Sequence, residues 1–327
     1  MRKIVLGKTG IEVSIIGMGG HEYLPDGKSR GFNEDRSKSL TPGHLFPGFG
    51  GDNRLQVLQA AYELGLNFFD VTQDSEKEAL GRNLKRLPPP YEVFIQTRPE
   101  RMAYGYDKFN LRMADLGLLR EEVQRINKLM GIERLDFLNI PPLKWAFDND
   151  PDYLDKIGHN LAALKKEGLI RFACADTFSG AEIYRKMIES GHFDAIYINF
   201  NCGDHTPGDV IIPLAKAKGL GVITRETFMK GDFFKIAKNA DVPSGPAAEA
   251  AMRWVLSRQG VDMALYGTGK ANHLLDVCRS AEAPFSEDDK AILDTIRQTA
   301  MFKKYEARRI DEFKGLVERV DMLDLSS

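Results

Sequence analysis

The chain has 327 residues, of which 43% are hydrophobic and 28% charged, with 30 glycines and 15 prolines. That apolar fraction excludes a disordered chain, and without an uncharged apolar run of about 18 residues no membrane span is predicted. Basic and acidic residues number 45 and 47, a formal net charge of −2, so no global field points to nucleic acid or anionic lipid.

The N-terminal residues Met1-Arg2-Lys3-Ile4-Val5 run straight into a glycine turn, leaving no room for a signal-peptide apolar region. Ile4-Val5, the turn Lys8-Thr9-Gly10 and the run 13–16 predict a short opening hairpin. Beyond it, apolar β-rich runs at 14–18, 67–71, 92–96, 135–140, 170–175, 194–198, 221–224 and 264–267 alternate with helical patterns. Those patterns lie at 53–64, 76–84, 118–130, 153–166, 180–189, 211–218, 247–257 and 271–281. Strand alternating with helix implies βαβ units around a parallel sheet, and near-continuous apolar strands imply burial on both faces. Eight of each suit a closed (β/α)8 TIM barrel better than a doubly wound sheet, as one α/β domain over residues 1–327.

Three stretches break the rhythm. Residues 19–52, polar and rich in Gly and Pro, form a connection far longer than the two to six residues usual after a barrel strand. A loop after a barrel strand lies on the catalytic face, so this segment is expected to cover the mouth, with His21, Tyr23 and His44 pointing polar groups inward. A second irregular stretch, 99–117, carries Tyr104 and Tyr106. The tail 286–327 reads as an extra C-terminal helix, opened by the capping signal Ser286-Glu287-Asp288-Asp289. Cys174, Cys202 and Cys278 are odd in number and far apart, so they read as buried thiols in a reducing cytoplasm. The histidines form no ligand spacing, and no metal is predicted.

Several segments, in order along the chain, resemble the aldo-keto reductase superfamily. They are Leu6-Gly7-Lys8-Thr9-Gly10 with Ile16-Gly17-Met18-Gly19, then Gly65-Leu66-Asn67-Phe68-Phe69-Asp70, then Glu78-Ala79-Leu80-Gly81. Lys166-Glu167-Gly168-Leu169-Ile170-Arg171, Ala251-Met252-Arg253-Trp254-Val255-Leu256-Ser257 and the turn from Gly267 to Leu274 continue the match. The resemblance implies carbonyl reduction by a nicotinamide hydride, with a tyrosine acid tuned by Lys, His and Asp. A phenol with pKa near 10 needs such help to donate at neutral pH.

Carried over position by position, the likeness keeps the Asp as Asp70 but puts Ser75 where the Tyr belongs, or Asp74 in a shifted alignment. The Lys becomes Arg98, which keeps charge but cannot give up its proton, and where the His is expected the chain runs Ile140-Pro141-Pro142, with no side-chain donor from proline. The carboxamide-holding pair falls on Asp176-Thr177, the next Gln on Tyr197, the ring-stacking position on Arg225 and the adenine-contacting Asn on Val277. Gly267-Thr268-Gly269-Lys270 keeps a phosphate-compatible turn, and Lys270 suits a 2′-phosphate.

The candidate catalytic residues are therefore Asp70, Arg98 and Asp176, and the candidate NADP-binding residues Arg225, Gly267, Thr268, Gly269 and Lys270. Asp70 can equally pair with Arg98, and Asp176 or Glu226 with the arginines. His21 offers an imidazole in place of the missing one. Three functions stay open. One is an NADP(H)-dependent oxidoreductase with altered acid–base residues, weak on simple carbonyls. The others are a non-redox lyase, isomerase or hydrolase for an anionic oxygenated substrate, and a non-catalytic binding protein. The expected partner is a small molecule, with no nucleic acid and no membrane.

Overall fold

Strands that are apolar on both faces must be covered on both, and this decides the architecture. In the computed structural model of the chain, the described residues are 1–21, 36–41, 44, 52–103, 106–107 and 109–316. An antiparallel hairpin of β1 (Lys3–Val5) and β2 (Glu12–Ser14) precedes eight parallel strands. These are β3 (Ile16–Gly19), β4 (Phe68–Asp70), β5 (Phe94–Thr97), β6 (Leu135–Ile140), β7 (Ile170–Ala175), β8 (Ala195–Asn199), β9 (Gly221–Arg225) and β10 (Met263–Gly267). They close into a barrel in that order, with β10 paired to β3 so that Gly267 lies opposite Gly19.

A ring of helices covers the outer face: α1 (Asp52–Glu63), α2 (Asp74–Arg86), α3 (Leu116–Met130), α4 (Tyr153–Lys166), α5 (Ala181–Glu189), α6 (Pro207–Ala217), α7 (Ser244–Leu256) and α8 (Ala271–Ser280). The (β/α)8 barrel is as the alternation predicts. Element ends move by a few residues. The largest change is at α6, which starts at Pro207 rather than 211. A proline suits the first helical position, because its missing N–H would have no intrahelical partner. Lys144–Asn149 and Asp232–Asn239 are further short helices outside the predicted patterns, the second burying Phe233, Ile236 and Ala237 on one face.

Inside the barrel, Phe68, Phe94, Phe137, Cys174, Ile223, Met263 and Leu265 pack with Leu6, Ile11 and Val13 of the hairpin. The hairpin thus plugs the N-terminal end. Its turn is held by Lys8 N–H donating to the Gly219 carbonyl at 2.8 Å. Gly7 has φ +50 and lies so close that an added Cβ would stand 2.2 Å from Gly221 N, so only glycine fits there.

Within its described residues the tail is two helices rather than one, α9 (Glu287–Arg297) and α10 (Ala300–Phe313). The predicted cap of α9 is present: Ser286 Oγ accepts from Asp289 N–H at 3.1 Å, and Asp289 Oδ2 accepts from Ser286 N–H at 2.9 Å. An Arg253–Asp289 ion pair fastens α9 to α7, while Asn201 Nδ2 donates to Tyr305 Oη at 3.3 Å and ties α10 to the loop after β8. Among the described residues, no helix is long and apolar enough to cross a membrane.

Candidate active site

The side chains that leave the C-terminal ends of the strands define the mouth. Asp70 ends β4, with Gly19 beside it on one side and Gln96 on the other. Its carboxylate accepts from Gln96 Nε2 at 3.0 Å and from Tyr197 Oη at 2.9 Å. Burial pushes the carboxyl up from its ordinary 3.8 to about 6, a rise opposed by Tyr197, His21 and Arg98 and helped by Glu76. The pairing of Asp70 with Arg98 that the sequence suggested is not the main contact of either. Arg98 Nε donates to Glu100, which the turn Glu100–Met102 places two residues ahead, and Arg98 reaches Asp70 through its field.

On the opposite wall Asp176 and Arg225 form a bidentate pair, with Nη1 to Oδ2 at 2.7 Å and Nη2 to Oδ1 at 2.6 Å. Asn139 Nδ2 and Tyr184 Oη also donate to Asp176, and Arg225 Nε donates to Asn199 Oδ1 at 2.5 Å. The guanidinium lies 4.4 Å from the ring centroids of both Phe178 and Tyr197. Asp176 is fully buried and Arg225 nearly so. The positive charge expected to clamp an anion is thus neutralised by Asp176. Below, the Thr177 hydroxyl donates to the Pro142 carbonyl at 2.7 Å, which fixes the proline pair after β6.

The connection from β4 to α2 is only residues 71–73. Position 75 therefore falls within α2, where Ser75 is fully buried and its hydroxyl has no hydrogen-bond partner among the described residues. Asp74, the alternative position, is held by Arg101 Nε at 3.0 Å, by Arg125 at 2.9 and 3.0 Å, and by the buried Lys77 at 3.5 Å. Neither position presents a proton donor at the mouth. Beside them His21 Nδ1 lies 2.6 Å from Glu76 Oε1.

At the seam of the barrel, residues 267–270 lead from β10 into α8. Thr268 Oγ1 accepts from Lys270 N–H at 3.2 Å, and Lys270 stands at the N-cap without a side-chain cap hydrogen bond. Arg54, in the first turn of α1, donates to the carbonyls of Thr268 at 3.1 Å and Gly19 at 2.9 Å. Sequence reasoning missed Arg54, because an arginine at a helix start carries no local sign of a partner 214 residues away. Arg225 is tied to Asp176, and Lys270 stands at the start of α8. Tyr104, Tyr23 and residues 48–51 lie outside the described residues. Of segment 19–52, the described helix Arg36–Ser39 packs against α2, and the Leu40 carbonyl accepts from Arg101.

The aldo/keto reductase family profile matches residues 49–245. The chain belongs to the aldo/keto reductase family. Relatives of this aldo/keto reductase include an uncharacterized oxidoreductase of Schizosaccharomyces pombe, 24% identical over 266 residues (78% of this chain, 82% of the relative). L-galactose dehydrogenase of Arabidopsis thaliana is 24% identical over 258 residues (76% of this chain, 72% of the relative). Among solved structures, an aldo-keto reductase from Bacillus halodurans in its holo form superposes with a TM-score of 0.66 at 16% identity, covering 94% of this chain and 99% of that one. A glycerol dehydrogenase from Gluconobacter oxydans gives 0.65 at 19% identity, covering 91% and 96%. At these identities the structures establish the fold, and the residues at the mouth have to argue the chemistry.

Proposed function

We propose that this aldo/keto reductase is NADP(H)-dependent, that its proton-donating set is rebuilt, and that it reduces simple carbonyls only slowly. The observation that carries the reading is the short β4–α2 connection. It turns Ser75 into the protein interior at the position where the family resemblance calls for a phenol. Pro141 adds no donor after β6, and Arg98 holds Glu100 without a titratable proton of its own.

The turn before α8 supports a dinucleotide. The helix has no side-chain cap, so its first amides remain as donors for an anion, and the positive end of its dipole lies there. Among the described residues, no heavy atom would come within 4 Å of a Cβ added at Gly269, so none of them crowds the backbone there. Gly267, Thr268, Gly269 and the exposed Lys270 would hold the phosphates, with Arg54 bracing the turn from behind. When bound, a reduced nicotinamide supplies a hydride to a carbonyl carbon. Arg225 would meet the ring end only as half of a neutral pair with Asp176, and Tyr197 and Asp70 line the floor between them. A non-redox reaction on an anionic substrate is less well supported, because Arg98 and Arg225 each already serve a carboxylate. The substrate in this reading is a small oxygenated molecule, and the three buried thiols suit a reducing cytoplasm.

The test is titration of the protein's intrinsic fluorescence with NADPH and with NADH, on wild type and Lys270→Ala. Wild type should favour NADPH, and the substitution should remove about tenfold or more of that preference, the worth of one charge-assisted contact. Turnover of simple aldehydes should stay far below the roughly 10 per second of a typical enzyme. Absence of NADPH binding, or ordinary turnover of simple aldehydes, would refute the proposal.

A further inference from the structure

We propose that His21, oriented by Glu76, hands the proton to the carbonyl oxygen in this chain, doing the work of the phenol that position 75 lacks. The inference deepens the reading above and rests on it.

The backbone brings His21 to the mouth. Gly19 pairs with Asp70, and at Gly20 an added Cβ would lie 2.6 Å from the Asp70 carbonyl oxygen, so the chain passes tightly over the end of β4. The next residue is His21. Its Nδ1 is 2.6 Å from Glu76 Oε1, and its side chain remains 32% exposed while that of Glu76 is fully buried. Glu76 is pinned by a separate duty. Its other oxygen, Oε2, accepts from the amides of Thr72 at 2.9 Å and Gln73 at 3.1 Å, completing the capping box at the start of α2. One carboxylate oxygen fixes the helix start, and the other holds the imidazole. A carboxylate on Nδ1 fixes the tautomer and ring orientation and stabilises the imidazolium, so the exchangeable proton is the one on Nε2.

Among the described residues, the charges facing the ring come from three elements: Glu76 of α2, Asp70 at the end of β4 and Arg98 after β5. Burial lowers the proton affinity of His21, but Glu76 by charge and hydrogen bond, and then Asp70, outweigh burial and the opposing Arg98. The net shift is upward from 6.5. The imidazolium therefore persists toward neutral pH, where a donor is needed. Once hydride has reached the carbonyl carbon and the C=O π electrons rest on oxygen, the Nε2–H bond breaks and an O–H bond forms. Imidazolium becomes neutral imidazole, with its Nδ1–H still donated to Glu76. In alcohol oxidation the same proton returns to Nε2.

The experiment uses the full chain with NADPH and three probes, 4-nitrobenzaldehyde, glyceraldehyde and erythrose, on wild type, His21→Gln, His21→Asn and Glu76→Gln. NADPH binding by fluorescence serves as the fold control, and the His21 ring is titrated by NMR. The proposal expects unchanged NADPH affinity in both His21 variants and turnover lowered by about 100-fold or more, the usual worth of a positioned acid. The NMR midpoint of His21 should exceed 6.5 in wild type and fall in Glu76→Gln. Turnover within threefold of wild type in His21→Gln, with NADPH still bound, would overturn the role of His21 and leave the cofactor reading intact. No turnover of any probe by NADPH-bound wild type would also overturn it. Failure of wild type to bind NADPH would overturn both.

Discussion

Replacing Asp70 by Asn should stabilise the protein at neutral pH while impairing the site. Asp70 is 8% exposed, and burial raises its carboxyl from 3.8 to about 6. The folded state therefore holds a proton more tightly than the unfolded chain, so this group's contribution is fully present below about 3.8 and is lost as pH rises through about 6. At 1.36 kcal/mol per pKa unit, the loss amounts to about 3 kcal/mol across that window. Asparagine cannot ionise and escapes it. Its carboxamide still accepts from Tyr197, though it must flip Gln96 to keep a second bond, at a cost of about 1 kcal/mol that does not depend on pH. Urea unfolding of both proteins between pH 4 and 7.5, followed by tryptophan fluorescence, measures the difference. The variant should be level with or slightly below wild type at pH 4, then gain about 3 kcal/mol on it by pH 7. Parallel stability curves, or a variant that loses ground as pH rises, would refute the argument that burial dominates the Asp70 environment.

Three further outcomes test the packing. Arg225→Met should cost about 3–5 kcal/mol, because it strands the buried carboxylate of Asp176. Pairing it with Asp176→Leu should recover most of the loss in the same urea assay, and a single substitution costing under about 1 kcal/mol would contradict the pair's burial. Gly7→Ala forces a left-handed residue and a Cβ 2.2 Å from Gly221 N, so the hairpin should lift from the barrel floor. Faster amide exchange in β1 and β2 would register this, and unchanged exchange would exclude it. Ser286→Ala should cost about 1 kcal/mol by uncapping α9, read from the unfolding midpoint, with no change in NADPH affinity.

The barrel was legible in the sequence because its signals are local. Apolar runs such as 135–140 and 170–175 announce two-sided burial wherever they sit, and Ser286 with Asp289 closes its cap within a single turn. Even the position of the mouth follows, since whatever ends a barrel strand lies there. The partners at the mouth were legible only in part: pairing of Asp176 with an arginine was one of the readings left open, and nothing local could select it. Asp70 is held by Tyr197 from 127 residues away, Asp176 by Arg225 from 49, and His21 by Glu76 from 55. Closure of the barrel brings these ends together, and only then do distance and burial select among the charges available. Arg98 shows the selection at its sharpest. The sequence offered it Asp70, and the turn after β5 gives it to Glu100 instead. Asp70 is thereby left to burial, which is why its proton is held so tightly against the opposing hydrogen bond from Tyr197. The sequence by itself determined which residues reach the mouth. The tertiary structure decided which of them neutralise one another, because that choice depends on distances across the barrel that no local pattern encodes.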